Sequence, residues 1–165
     1  MNPLKTFALL TSVLILLSGC TLFVNTAQSE KSRVVPVMPK TQTIHNVSQI
    51  QFDFSALKLS SEDQKTQQDS LYTMLVEKLK AAHLYQNDKT PAITVKIIVK
   101  RVNDNFSDKA MEAFVILQNN QGQTISSAVF VERGEGLRRL SYFKEQFIDQ
   151  LVKYIQSPAQ KVQNN

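Results

Sequence analysis

Few side chains in this sequence have both the type and the spacing for chemistry. The chain has a single cysteine, Cys20, which follows Leu17-Ser18-Gly19. One cysteine forms no intramolecular disulfide, so the folded part must hold together by packing. The two histidines, His45 and His83, have no partners at zinc-ligand spacing, since such a site wants three or four His, Cys or carboxylate ligands. No metal and no cofactor are expected. Ser126-Ser127 has no nearby histidine in sequence, and no Gly-x-Ser-x-Gly occurs, so nucleophilic catalysis finds no base. Glu62-Asp63 suits a helix start, and Asp104 with Asp108 suits a solvated loop. No catalytic residue is assigned and no enzyme is expected. Arg133-Gly134-Glu135-Gly136-Leu137-Arg138-Arg139 places two glycines before a helix start, with three arginines around it. Helix N-termini attract anions, so Arg133, Gly134, Gly136 and Arg138 form an anion-site candidate. Glu135 opposes an anion there, and a plain turn with solvated charges explains the stretch as well.

The surroundings of Cys20 are more specific. A basic start with Lys5 precedes an apolar run from Phe7 to Leu17. That run is too short to cross a bilayer, which takes ~20 apolar residues. With small residues before the cut site it has the form of a secretory signal. Leu17-Ser18-Gly19-Cys20 resembles the bacterial lipobox at all four positions. The resemblance implies a diacylglyceryl group on the Cys20 sulfur, cleavage between Gly19 and Cys20, and acylation of the new N-terminus. A thiolate is the side chain nucleophilic enough to accept the lipid. Two or three acyl chains, at ~0.8 kcal/mol per buried CH₂, make such an anchor effectively permanent. Thr21, rather than Asp, follows the cysteine. In a Gram-negative host that implies the outer membrane, on its periplasmic side.

The elements that position everything else follow from periodicity. The sequence predicts a signal peptide over 1–19, a lipidated N-terminus and flexible tether over 20–46, a globular domain over 47–157 and a disordered tail over 158–165. The tether is rich in Ser, Thr, Gln, Lys and Pro, and its 34–38 stretch, Val-Val-Pro-Val-Met, is a short apolar island. At ~3.3 Å per residue, residues 21–46 reach about 85 Å when extended. Ile50, Phe52 and Phe54 alternate with polar residues and predict a strand. Ser61 with Gln64 fits a capping box, and Leu71, Leu75 and Leu79 give a helix to about Ala82 a core-facing stripe. Three alternating runs follow, over Ile93–Val99, Met111–Leu117 and Thr124–Val131, and Asn119-Asn120-Gln121-Gly122 joins the last two as a hairpin. Leu140, Phe143, Phe147, Leu151 and Tyr154 mark a final helix from about Leu137 to Gln156. The order β-α-β-β-β-α predicts an α+β two-layer sandwich, a mainly antiparallel four-stranded sheet with two helices on one face.

Composition narrows the function. Loss of residues 1–19 removes only Lys5 among the charged residues and leaves 18 basic against 14 acidic side chains. With no Trp and no basic cluster interleaved with aromatics, nucleic acid is not expected as a partner. If the fully apolar sets face the helices, the opposite face of the sheet carries Ile98, Phe114, Ile116 and Phe130, a candidate partner surface. A dimer mate, the 34–38 island or simple cross-strand pairing would also account for those residues. With its lipobox, tether and element order, the chain is similar to small outer-membrane accessory lipoproteins, such as those of lipopolysaccharide assembly and of ABC-type and intermembrane lipid transport. The resemblance implies a non-enzymatic accessory or assembly subunit, held on the membrane by its lipid and docking on a membrane or transport complex. Its partners would be the membrane, an envelope protein and a lipid. Binding of a lipid or small apolar ligand in the periplasm is the alternative, and a periplasmic hydrolase a remote one.

Overall fold

A computed structural model of the chain describes residues 31–86, 88–105, 108–134 and 138–159. The signal, Gly19, Cys20, Gly136 and the tail from 160 lie outside the described residues. In chain order the elements are β1 (Lys31–Met38), β2 (Asn46–Asp53), α1 (Ser61–Ala81), β3 (Ala92–Asn105), β4 (Asp108–Asn119), β5 (Thr124–Gly134) and α2 (Leu140–Gln156). The strands form one sheet in the order β1-β5-β4-β3-β2. Three of its ladders are antiparallel and the β2–β3 ladder is parallel. A parallel pair needs a crossover, and α1 supplies it.

The sheet therefore has five strands rather than the expected four, and the order is β-β-α-β-β-β-α. The added strand is β1, within the stretch the sequence presents as tether. Proline argues against a strand in general, but an edge strand tolerates it because one side of the backbone makes no ladder. Pro36 lies opposite Ala128 on such an edge, with a register shift just after it. β1 and β2 occupy opposite edges, so residues 39–45 must cross the end of the sheet. Four strand spacings of ~4.8 Å come to roughly 19 Å, within reach of seven extended residues. Along that crossing the Thr41 N–H donates to the Ile125 carbonyl at 3.1 Å, and Ile44 and Val47 enter the core.

α1 begins one residue earlier than the capping-box expectation. Ser60 is the N-cap: its Oγ accepts from the Asp63 N–H at 3.1 Å and donates to the Asp63 carboxylate at 2.6 Å. At the other end the Leu84 N–H reaches the Leu79 carbonyl and the His83 N–H the Lys80 carbonyl. This pair of bonds closes a helix through a left-handed residue, and His83 takes that role at φ 55°. Leu71, Leu75 and Leu79 are fully buried beneath α1, and Phe143, Phe147, Ile148, Leu151 and Ile155 beneath α2. Both helices cover one face of the sheet, against Ile93, Val95, Ile97 and Val99 of β3 and Met111, Ala113, Val115 and Leu117 of β4. Each buried Leu or Phe contributes ~1.5–3 kcal/mol relative to exposure. In the β4–β5 hairpin Gly122 sits at φ 76°, as a three-residue loop with a left-handed last residue requires. Every described strand and helix lies within 31–156, so a chain starting at Thr21 retains the core they form.

Candidate partner surface

The face of the sheet away from the helices is ordered in rows by the register. One row crosses all five strands: Val35, Val129, Phe114, Ile98 and Asp53. Its first four members form an apolar band. A neighbouring row reads Arg33, Val131, Glu112 and Arg101, with Arg133 beside it. On the other side run Ser127, Ile116, Lys96 and Gln51. Val35 is 43 % exposed, and Ile98, Phe114, Ile116 and Val129 are half-buried among their longer polar neighbours.

Charge on this face is unbalanced. Glu112 sits between two guanidinium groups: Arg133 Nε donates to its Oε1 at 3.0 Å, and Arg101 Nη1 lies 3.9 Å from the same oxygen. Asp53 is held below the usual carboxylate range, first by the Ser55 hydrogen bonds and then by the field of Lys96 and Lys100. Among the described side chains, Arg33, Lys96, Lys100, Arg101 and Arg133 share this face with Asp53 and Glu112, an excess of three positive charges.

Three of the four residues expected on this surface are there. The structure brings Ile98, Phe114 and Ile116 together, but Phe130 is on the opposite face and fully buried. It packs edge-on against Phe147 at 5.6 Å and Tyr154 at 5.5 Å beneath α2. Glu132, two residues on, is buried on the same side. Apolar counting misplaces β5 because Ile125, Val129 and Val131 outnumber Ala128 and Phe130. The hairpin ladder fixes the parity instead, and it is shifted by an irregularity at Leu117/Gln118. Val35 and Val129 take the place left by Phe130 on the outer face, and the 34–38 island extends that face rather than covering it. Within the island Val35 and Val37 are exposed, while Val34 packs toward the core.

The arginine-rich loop is divided among different partners. Arg133 is engaged with Glu112 on the outer face, while Arg138 lies over the Tyr142 ring at 4.2 Å. Gly134 ends β5 opposite Lys109, and Gly136 lies outside the described residues. Ser126, weighed as a nucleophile, is a buried structural hydroxyl. It donates to the Met38 carbonyl at 3.1 Å and also contacts the Tyr154 hydroxyl. Among the described residues no group of three or more His, Cys, Asp and Glu is placed to hold a metal, and no helix is long and apolar enough to cross a membrane.

Lys40 is the buried polar group that periodicity does not reveal. It is 2 % exposed, and its ammonium donates to the carbonyls of Tyr154 at 2.9 Å, Ile155 at 3.0 Å and Ser157. These are carbonyls that the end of α2 leaves without helical partners. Burial pulls the Lys40 amine down to about 8. The grooves beside it, of about 400 Å³ and 390 Å³, open between β1 and α2 and are lined by Ser32, Val34, Gln150, Lys153 and Tyr154, among others. They lie on the flank, whereas the space between sheet and helices is filled by the core side chains.

The architecture is an α+β sandwich of a five-stranded mixed sheet and two helices, with an outer sheet face that the helices leave uncovered. That fold is also found in PelC from Paraburkholderia phytofirmans, a dodecamer. One PelC structure superposes with a TM-score of 0.57 at 12 % identity, covering 77 % of this chain and 99 % of that one. A structure of a PelC variant with a single substitution gives 0.55 at 12 % identity, with coverages of 78 % and 98 %. A minor lipoprotein from Acinetobacter baumannii overlaps more loosely, with a TM-score of 0.40 at 17 % identity, covering 68 % of this chain and 90 % of that one. No protein-family profile matches the chain, and no curated protein matches it.

Proposed function

We propose that this chain is a lipid-anchored envelope lipoprotein, a non-enzymatic accessory subunit that docks on a membrane or transport complex through the outer face of its sheet. The observation that carries this reading is the apolar band Val35–Val129–Phe114–Ile98, left uncovered by the helices, in a chain that also holds Leu17-Ser18-Gly19-Cys20. Lipid on Cys20 fixes the domain at a membrane, and the band gives it a surface to use there. Thr21 after the cysteine supports the outer membrane as the site in a Gram-negative host. The fold shared with PelC supports a role as one part of a larger assembly, since PelC itself is a dodecamer.

Two measurements test it. Metabolic labelling with an alkyne palmitate should mark the wild-type protein and not Cys20→Ala; equal labelling of both refutes the anchor. A photo-crosslinking residue at position 114 should give adducts with envelope components, while one at the solvent-facing Glu77 of α1 gives none. Labelled protein without adducts at 114 refutes docking through the sheet.

A further inference from the structure

The tether is short and ends in a telling place. The sequence allows residues 21–46 to be tether, but β1 begins at Lys31. Residues 21–30 lie between Cys20 and that strand, and a segment of that length spans at most ~33 Å. The chain enters the sheet two residues before Arg33, at the end of the row that holds Val131, Glu112 and Arg101. The chain from a lipid on Cys20 would therefore enter the domain at the end of the sheet that carries the arginine row.

From this placement we infer that the outer face of the sheet lies on a bilayer leaflet carrying anionic headgroups, the leaflet in which the Cys20 lipid is seated. This rests on the reading of the chain as a lipid-anchored docking subunit and names what it docks on. The apolar band sits at the boundary between headgroups and acyl chains. Arg33, Arg101 and Arg133 lie along one side of it, and Lys96 and Lys100 also stand on this face. Guanidinium groups bind phosphate in a forked geometry, and basic residues gain from the surface potential of an anionic leaflet. A half-exposed apolar band with basic residues beside it is the pattern that seats a protein in the interface plane. A lipid only ten residues before β1 would add effective concentration to an affinity that the face has on its own. Charge also argues against a second copy on this face, because two faces that each carry an excess of three positive charges repel one another.

The test uses the unlipidated chain from Thr21 to Asn165, which contains every described strand and helix. It is sedimented with vesicles of phosphatidylcholine and with vesicles of equimolar phosphatidylcholine and phosphatidylglycerol. Binding is expected to the second and not the first. It should be largely lost at 1 M salt, where the screening length falls to ~3 Å. Arg33 and Lys100 are both exposed, so the double variant Arg33→Glu, Lys100→Glu should fold, as checked by circular dichroism. It should bind on the order of tenfold more weakly or worse. Phe114→Ser should weaken binding severalfold while leaving its salt dependence intact. Equal binding to both vesicle types, binding to neither, or insensitivity to salt overturns the inference. So does an oligomer in sedimentation velocity that Phe114→Lys dissociates, because the face would then belong to another copy. The palmitate experiment remains independent. Labelled Cys20 with no vesicle binding sinks only the leaflet assignment, and vesicle binding without label sinks only the anchor.

Discussion

At the scale of single residues, Lys40 has the largest influence for its position. It lies two residues beyond β1 and reaches across to satisfy the end of α2, more than a hundred residues away in sequence. Leaving buried carbonyls without a donor costs ~1–3 kcal/mol, so Lys40→Met should lower stability by about that amount in urea unfolding. The pH dependence has a definite sign. The amine falls from 10.5 to about 8 in the fold, so above pH 8 the unfolded chain holds a proton that the folded chain has shed. Stability contributed by this group therefore rises between about pH 8 and pH 10.5, and its burial penalty is fully present below pH 8. The gap in stability between wild type and Lys40→Met should widen over that window, and a constant gap would show that the amine is not desolvated. Nothing in the sequence marks this lysine, because lysine is usually a surface residue and its partners are backbone carbonyls far along the chain.

At the scale of elements, α1, α2 and β2 to β5 are legible in the sequence because each repeats its apolar residues at a clean period over many positions. Leu71, Leu75 and Leu79 are one such case, and Ile93, Val95, Ile97 and Val99 another. β1 is not, since Pro36 and polar flanks hide a strand whose pairing is decided by an edge position. The face of β5 is not legible either: both of its sides carry apolar residues, and a one-residue shift in the hairpin exchanges them. That shift takes Phe130 from the candidate surface into the core, while Ile98, Phe114 and Ile116 stay on the surface. The end of α1 gives a prediction at this scale. His83 holds a left-handed conformation that costs an L-residue roughly 1–2 kcal/mol, and glycine adopts it freely at some entropic cost in the unfolded chain. His83→Gly should raise stability by about 0.5–1 kcal/mol, read as a higher urea midpoint at unchanged slope. A lower midpoint would mean that the imidazole's own contacts outweigh the backbone strain.

At the scale of the whole molecule, the sheet already includes Lys31–Met38, within the 20–46 stretch that the sequence presents as tether. A chain beginning at Lys31 should melt at the same temperature as one beginning at Thr21. A chain beginning at Thr41 loses β1, the Val34 contact over the core and Lys40. It should melt roughly 5 °C lower or more and aggregate through the uncovered edge of β5. If both truncations melt alike, β1 does not belong to the cooperative unit.

The position of β1 has a mechanical consequence. A pull on a lipidated Cys20 enters the domain at Lys31, and the ladder of β1 on β5 carries it from the Lys31–Arg133 pair to Met38–Ser127. A load across the strand peels those pairs one at a time from the Lys31 end. A load along the strand strains the hydrogen bonds of the ladder together, and Lys40, seated in the end of α2, acts as a stop behind them. Lying flat on the leaflet would keep the load in the second direction, so the same contact that orients the domain would also set how firmly it is held.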